Sequence, residues 1–190
     1  MKKLSKVEQL KAELKTAIKI EKTNKIFKSL SKAEQRVFIA KDVLESLKLK
    51  KYKAEHLIYV ETNTSKADED SKFNQDFVNC DDFSCKVCAL GAIFTSKVKI
   101  ANGFESGFDL YLYNPDLDDR EMRNNLEKYF SRLQLKAIEH AFEGFENDVE
   151  DSCKTLDSKY KKFHKSYPNA DKRMKAIMNN IIKNKGTFII

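Results

Sequence analysis

Three cysteines stand close together in NCDDFSCKVCALGAIFTSKV, residues 79–98, and the fourth is Cys153. Cys80-x4-Cys85-x2-Cys88 followed by one distant cysteine has the bare spacing of a plant-type [2Fe–2S] site. The glycines that let backbone amides reach such a cluster are missing, and Cys153 lies in a polar stretch without a partner motif. Zinc asks for a second ligand pair, and no further CxxC or HxxxH is present. If a metal is held, Cys80, Cys85 and Cys88 are its candidate ligands. A reactive thiol is a third chemistry, because a helix N-terminus lowers a thiol's pKa. Packing is the fourth, since free cysteine behaves as a small buried hydrophobe.

The remaining chemistry is sparse. His56, His140 and His164 have no cysteine or serine at a suggestive spacing, and His140 falls on the polar side of its helical pattern. The acidic run at 143–151 reads as a solvated face. NPDLDDREMRNN lacks the glycine and glutamate of a calcium loop. No GxSxG, P-loop, HExxH or GxGxxG occurs. No enzyme is expected, and no cofactor. Arg36, Lys41 and Arg173 are the basic residues nearest predicted apolar faces, so they are the candidates for an anion pocket. Against that, Arg36 at a stripe's edge ordinarily snorkels, its stem covering apolar surface.

These residues need elements to position them. Residues 85–100, placed on a helical wheel, put Cys85, Cys88, Ala89, Ala92 and Ser96 on a small seam and Val87, Leu90, Phe94 and Val98 opposite. This predicts a largely buried central helix whose seam admits another backbone or a ligand, with Cys88 as a further candidate contact. Ser5/Glu8 and Ser31/Glu34 are capping-box patterns, predicting helices after each. The first has an interrupted apolar stripe among lysines. The second carries Ala33, Val37, Ala40, Leu44 and Leu47 on one stripe. YKAEHLIYVET at 52–62 predicts a short strand, which FDLYLY at 108–113 could pair with as a hairpin. Asp118 or Asp119 caps the next helix, Ser131 restarts the pattern, and the last helix spans 170–183 with Met174, Ile177, Met178, Ile181 and Ile182 on one face. Leu133, Ala137, Ile138, Ala141, Phe142 and Phe145 form an apolar arc, opposite Lys136, Glu139, His140 and Glu143. The apolar ending TFII docks back as a strand or plug. The expected architecture is mainly α: residues 1–30 a basic amphipathic helical extension, 31–190 one compact multi-helix domain with a short β-hairpin.

Composition agrees with that class. The chain of 190 residues is 41% hydrophobic and 34% charged, with 5 glycines, 2 prolines and no tryptophan. So few chain breakers disfavour a turn-dense β fold. No long apolar run is present, so no membrane association is expected. Four cysteines in this length make no disulfide scaffold, and a reducing cytoplasm is expected. The net charge of +7 is uneven: residues 1–60 hold 16 Lys/Arg against 7 acids, whereas 61–120 hold 6 against 12. A basic flank suits nucleic acid or another acidic partner, but charge alone carries no sequence readout.

EQRVFIAKDV (34–43), CKVCALGAIFTSKV (85–98), LEKYFSRLQLKAIEHAFEG (126–144) and RMKAIMNNIIKNKGTF (173–188) follow in an order that resembles a family of small uncharacterised bacteriophage and prophage proteins. The resemblance covers most of 31–188 and leaves 1–30 outside. It implies a phage or bacterial origin and an infected-cell cytoplasm, and carries over no activity or catalytic residue. Cys88, Gly91 and Ala92 belong to the shared pattern. The expectation is a non-enzymatic phage or mobile-element accessory protein that binds a host component, by occupying a host protein or sequestering a small anionic nucleotide in counter-defence. Alternatives are a nucleic-acid-binding module using the lysine-rich N-terminal region, and a metal or iron–sulfur protein. A homo-oligomer built through residues 1–30 is left open.

Overall fold

The computed structural model describes residues 6–62, 73–101, 120–144 and 154–190. The Ser5/Glu8 box, the FDLYLY strand, the Asp118/Asp119 cap, Phe145 and Cys153 lie outside the described residues or their described side chains. Among the described residues the chain is mainly helical, with eight helices and three short strands.

Helix α1, Lys6–Ser29, is seated at its C-terminal end by Phe27, which is buried against the rings of Phe38 and Tyr129. Helix α2, Lys32–Lys48, starts at the expected capping box: Ser31 N–H donates to Glu34 Oε2 (2.8 Å), and Glu34 N–H donates to Ser31 Oγ (3.3 Å). The Ser31 hydroxyl, which donates to the same Oε2 (2.7 Å), and then the Ser31 N–H hold the Glu34 carboxyl below its ordinary pKa. The buried face of α2 is Ile39, Ala40, Val43 and Leu47. Ala33, Val37 and Leu44 of the predicted stripe are only half-buried. The stripe is rotated because α2 packs against two helices, α4 (Ala89–Ile100) and α8 (Ala170–Lys183).

The predicted strand at 52–62 is two strands, β1 (Tyr52–Ala54) and β2 (Val60–Thr62), and they do not pair with each other. Between them lies β3, Cys85–Val87, parallel to β1 and antiparallel to β2, giving the order β1-β3-β2. The helix expected from residue 85 is therefore corrected at its start. Cys85, Lys86 and Val87 are strand, Cys88 is the N-cap, and α4 begins at Ala89. On a strand, alternation replaces the wheel. Cys85 and Val87 face the core, whereas Lys86 turns outward to Glu61 across β2 (2.9 Å).

Helix α4 is buried along almost its whole length, as a central helix should be. Phe94 meets the rings of Phe73 and Tyr59, and Phe73 meets Phe77 and Phe83 beside α3 (Gln75–Asn79). Helices α5 (Arg120–Glu127) and α6 (Arg132–Glu143) follow, with Ser131 capping α6 as expected. Leu133, assigned to the apolar arc, is exposed, and Glu143, assigned to the polar arc, is buried. Helix α7, Lys154–Ser166, packs on α6. Helix α8 has the predicted bounds, an Asn169 cap, and Met174, Ile177, Met178 and Ile181 in the core. The ending docks back as a plug. Phe188 is buried while Gln134 brackets its backbone, accepting from N–H (2.7 Å) and donating to C=O (3.1 Å).

Candidate functional site

The cysteines divide by element. Cys85 is buried in β3, and burial pushes its thiol pKa well up. Cys88 is buried at the start of α4, where its Sγ accepts from Gly91 N–H (3.5 Å). Burial pushes its pKa up to about 12, although the N-terminal amides of α4 act in the opposite direction. Desolvation thus outweighs the helix terminus, and the thiolate that nucleophilic chemistry needs is disfavoured. Cys80 is half-buried at the end of α3, on the rim of a hollow of about 290 Å³ with Ala17, Ile20 and Asp76. Among the described residues, no group of three His, Cys, Asp or Glu is placed to hold a metal ion. A backbone does come close to α4, but at Gly91, outside the predicted seam: a Cβ there would lie 1.6 Å from the Tyr59 carbonyl oxygen.

The three basic candidates are not brought together. Arg36 neither snorkels nor faces an open pocket. Its Nε donates to Gly186 C=O and its Nη1 to Tyr129 C=O (2.8 Å), with the guanidinium beside the Phe130 ring. It staples the segment after α8 to the turn between α5 and α6. Lys41 is exposed on α2. Arg173 sits in the first turns of α8, about 15 Å at helical rise from Lys183 at its other end, beyond which Gly186 lies. Arg36 and Arg173 therefore serve opposite ends of one helix.

Arg173 is the centre of the richest constellation in the fold. It is only 2% exposed. Its Nε donates to Tyr167 C=O (3.0 Å), Nη2 to Pro168 C=O (3.1 Å) and Nη1 to Phe142 C=O. These carbonyls close α6 and the α7–α8 turn, where a helix leaves acceptors unsatisfied. Nη1 also meets His56 Nε2 (3.0 Å) and the imidazole of His164. A guanidinium only donates, so His56 Nε2 accepts and its proton resides on Nδ1. That Nδ1 donates to Glu143 Oε2 (2.8 Å), which also accepts from Leu57 N–H (3.1 Å). His164 Nδ1 lies 3.0 Å from Phe142 C=O, and its ring packs on Gly144, whose left-handed backbone (φ 70°) ends α6.

The chain of contacts runs Glu143, His56, Arg173, His164. Burial lifts the Glu143 carboxyl to about 7, although the Leu57 amide and the Arg173 charge pull it down. Desolvation first and the Arg173 charge second hold both histidines below their ordinary values. Neutral imidazoles, one accepting from a cation, are consistent with those directions. Glu143, read from the sequence as part of a solvated face, is buried here, and His56 and His164, which the sequence leaves without a partner, meet through Arg173. One signal was available: a glutamate in the last helical turn before Gly144 opposes the helix dipole and so asks for a nearby partner.

A second buried cation also escaped the sequence reading. Lys97, on α4, is 3% exposed. Asn125 Oδ1 accepts from its Nζ (3.3 Å) and from Lys128 Nζ (3.4 Å). Burial first, then the Lys128 charge, lowers its pKa to about 8.

The outward surface has a different character. On α1 the side chains of Lys15, Lys19, Lys22, Lys25 and Lys28 are all exposed, as are Leu14, Ile18 and Ile26. On α7, Lys161, Lys162 and Lys165 line an open hollow with Ser158 and Ser166. No helix of the described residues is long and apolar enough to cross a membrane. Set against protein-family models, curated proteins and solved structures, the chain matches none of them.

Proposed function

We propose that the chain is a non-enzymatic binding protein of a phage or mobile element, acting in the host cytoplasm by engaging a host macromolecule through its surface. The observation that carries this reading is the outward face of α1, where exposed lysines and exposed apolar residues share one side of a helix that is seated from the other side by Phe27. Exposed apolar residues among charges are a common feature of macromolecular contact surfaces. Sequestration of a small nucleotide by Arg36, Lys41 and Arg173 fits less well, because the two guanidiniums donate to backbone carbonyls at opposite ends of α8.

The test is affinity capture from infected and uninfected cells, with wild type beside a variant carrying glutamate at Lys15, Lys19, Lys22 and Lys25. Retained protein is identified by mass spectrometry, retained nucleic acid by sequencing, and the species is then rebound in purified form. A stoichiometric host species held by wild type and lost by the variant is the expected result. Equal recovery by both proteins would sink the reading.

A further inference from the structure

We infer that the outward face of α1 docks on the phosphate backbone of duplex nucleic acid, without regard to base sequence. This deepens the binding-protein reading above and rests on it.

The geometry begins with helical spacing. Taking 100° per residue, Lys15, Lys19, Lys22 and Lys25 fall within a sector of about 120°, centred nearly opposite the sector of Ile20, Asn24 and Phe27. Burial agrees: Phe27 is 1% exposed, Ile20 and Asn24 are half-buried, and all four lysines are exposed. The ten steps from Lys15 to Lys25 rise about 15 Å. A duplex strand presents one phosphate per 3.4 Å of axis, so that span faces about four phosphates. One acid stands at the edge: Glu21 pairs with Lys25 at 2.9 Å, both largely exposed, an interaction that a phosphate can replace.

The same face decides between partners. Ile18 and Ile26 lie between the lysines and Leu14 at their edge, so the described side chains of α1 form no segregated apolar face of the kind a bilayer surface requires. Pairing α1 with α1 of a second copy would set lysine against lysine. Single strands ask for aromatic stacking platforms, and the one aromatic of α1, Phe27, is in the core. Adenine edges are read by asparagine or glutamine, and guanine edges most often by arginine, which α1 lacks. The amide of Asn24 is instead engaged with Gln75 of α3 (3.2 and 3.4 Å). What remains is charge matching to a regular, stiff polyanion.

The experiment is fluorescence anisotropy of the full chain with a labelled duplex of mixed sequence, between about 50 and 200 mM salt. Neutralising three to four phosphates predicts a log–log salt slope of about −3 to −4, hence roughly a 100-fold loss of affinity over that range. The variant K15Q/K19Q/K22Q/K25Q should lose most of the low-salt affinity and flatten the slope; glutamine keeps helix propensity near that of lysine. K161Q/K162Q/K165Q, which removes α7 charge instead, should bind within a few-fold of wild type. Lys→Arg at the four α1 positions should also bind, which guards against a folding artefact. Absence of duplex binding at the lowest salt overturns the inference, and so does an equal loss in the α1 and α7 variants, which would mean net charge alone. Tighter binding of a single strand than of the duplex also overturns it. Nuclease-treated host extract separates the two failures. A host protein retained by wild type and rebound in purified form would leave the binding-protein reading standing without its nucleic-acid partner. Absence of both would remove both.

Discussion

Replacing Gly91 by alanine sets two effects of opposite sign against each other. In an exposed helix interior the change is favourable by up to about 1 kcal/mol, because glycine has more backbone entropy to lose. Here the new Cβ would lie 1.6 Å from the Tyr59 oxygen and 2.6 Å from its carbonyl carbon. Carbon and oxygen at rest stay more than 3 Å apart, so α4 and the segment before β2 must separate by about 1.5 Å. The obstacle is backbone and cannot rotate aside. Separation would break the bond from Cys88 N–H to Ile58 C=O, which joins the α4 cap to that segment, and strain the pairing of Val60 with Val87. Overpacking of this kind costs about 1–3 kcal/mol, and each lost hydrogen bond about 1 kcal/mol more. The propensity gain offsets about 1 kcal/mol, leaving a net destabilisation of about 1–3 kcal/mol. For a chain this size that lowers Tm by roughly 2–12 °C. Urea and thermal unfolding followed by circular dichroism measure it. An unchanged or raised Tm for Gly91→Ala would refute the reasoning, since it would mean that the β2 side yields at no cost.

Arg173→Met removes the donor shared by the buried Phe142 carbonyl and the partly buried carbonyls of Tyr167 and Pro168 and leaves them short of a partner. A loss of about 1–3 kcal/mol is expected in the same unfolding assay, mostly from the orphaned Phe142 carbonyl; Arg173→Lys should recover only part of it, because one ammonium cannot span that fork. The pH dependence has two opposed parts. His56 and His164, held below 6.5, contribute stability that falls away as pH drops through 6.5, because the unfolded chain binds those protons more readily. Glu143, raised to about 7, acts oppositely: its contribution is full below 4.5 and lost as pH rises from 4.5 to 7. Wild type should therefore show a flattened urea midpoint between about pH 5 and 7, whereas Glu143→Gln should lose stability on acidification; identical profiles would contradict the assignment. Cys85 and Cys88 should resist iodoacetamide at pH 8 in the folded protein and react in urea, as mass mapping would show; prompt native labelling of either would contradict their burial.

Helix α8 was legible because its signals are local: Asn169 at the cap and an apolar stripe four to five residues wide both lie inside the element. The same holds for Ser31 and Glu34. Cys85-Lys86-Val87 was misread because three residues fit a wheel as readily as a pleat. Their state is set by β1 and β2, which supply hydrogen bonds on both sides from distant positions. The Arg173 constellation was illegible for a related reason. Its members come from the β1–β2 turn, α6, α7 and α8, and Arg173 and His56 are 117 positions apart. No local pattern distinguishes such a histidine from a solvated one. Arg173 was singled out by its nearness to an apolar face, but proximity does not say whether a guanidinium turns toward a ligand or toward carbonyls.

The closure of α2 by α8 also bears on how the chain is made. Arg36 emerges from the ribosome 150 positions before the Gly186 carbonyl it will hold. At about 5–20 residues per second that interval lasts roughly 10–30 s. Throughout it, the side of α2 destined for α8 has no α8 to cover it, and β1 waits for β3. The nascent protein therefore passes through a stage in which Ile39, Val43 and Leu47 are partly bare. Such surface invites chaperones and aggregation. Faster synthesis through residues 89–170 shortens that exposure, so the yield of native protein should rise with it.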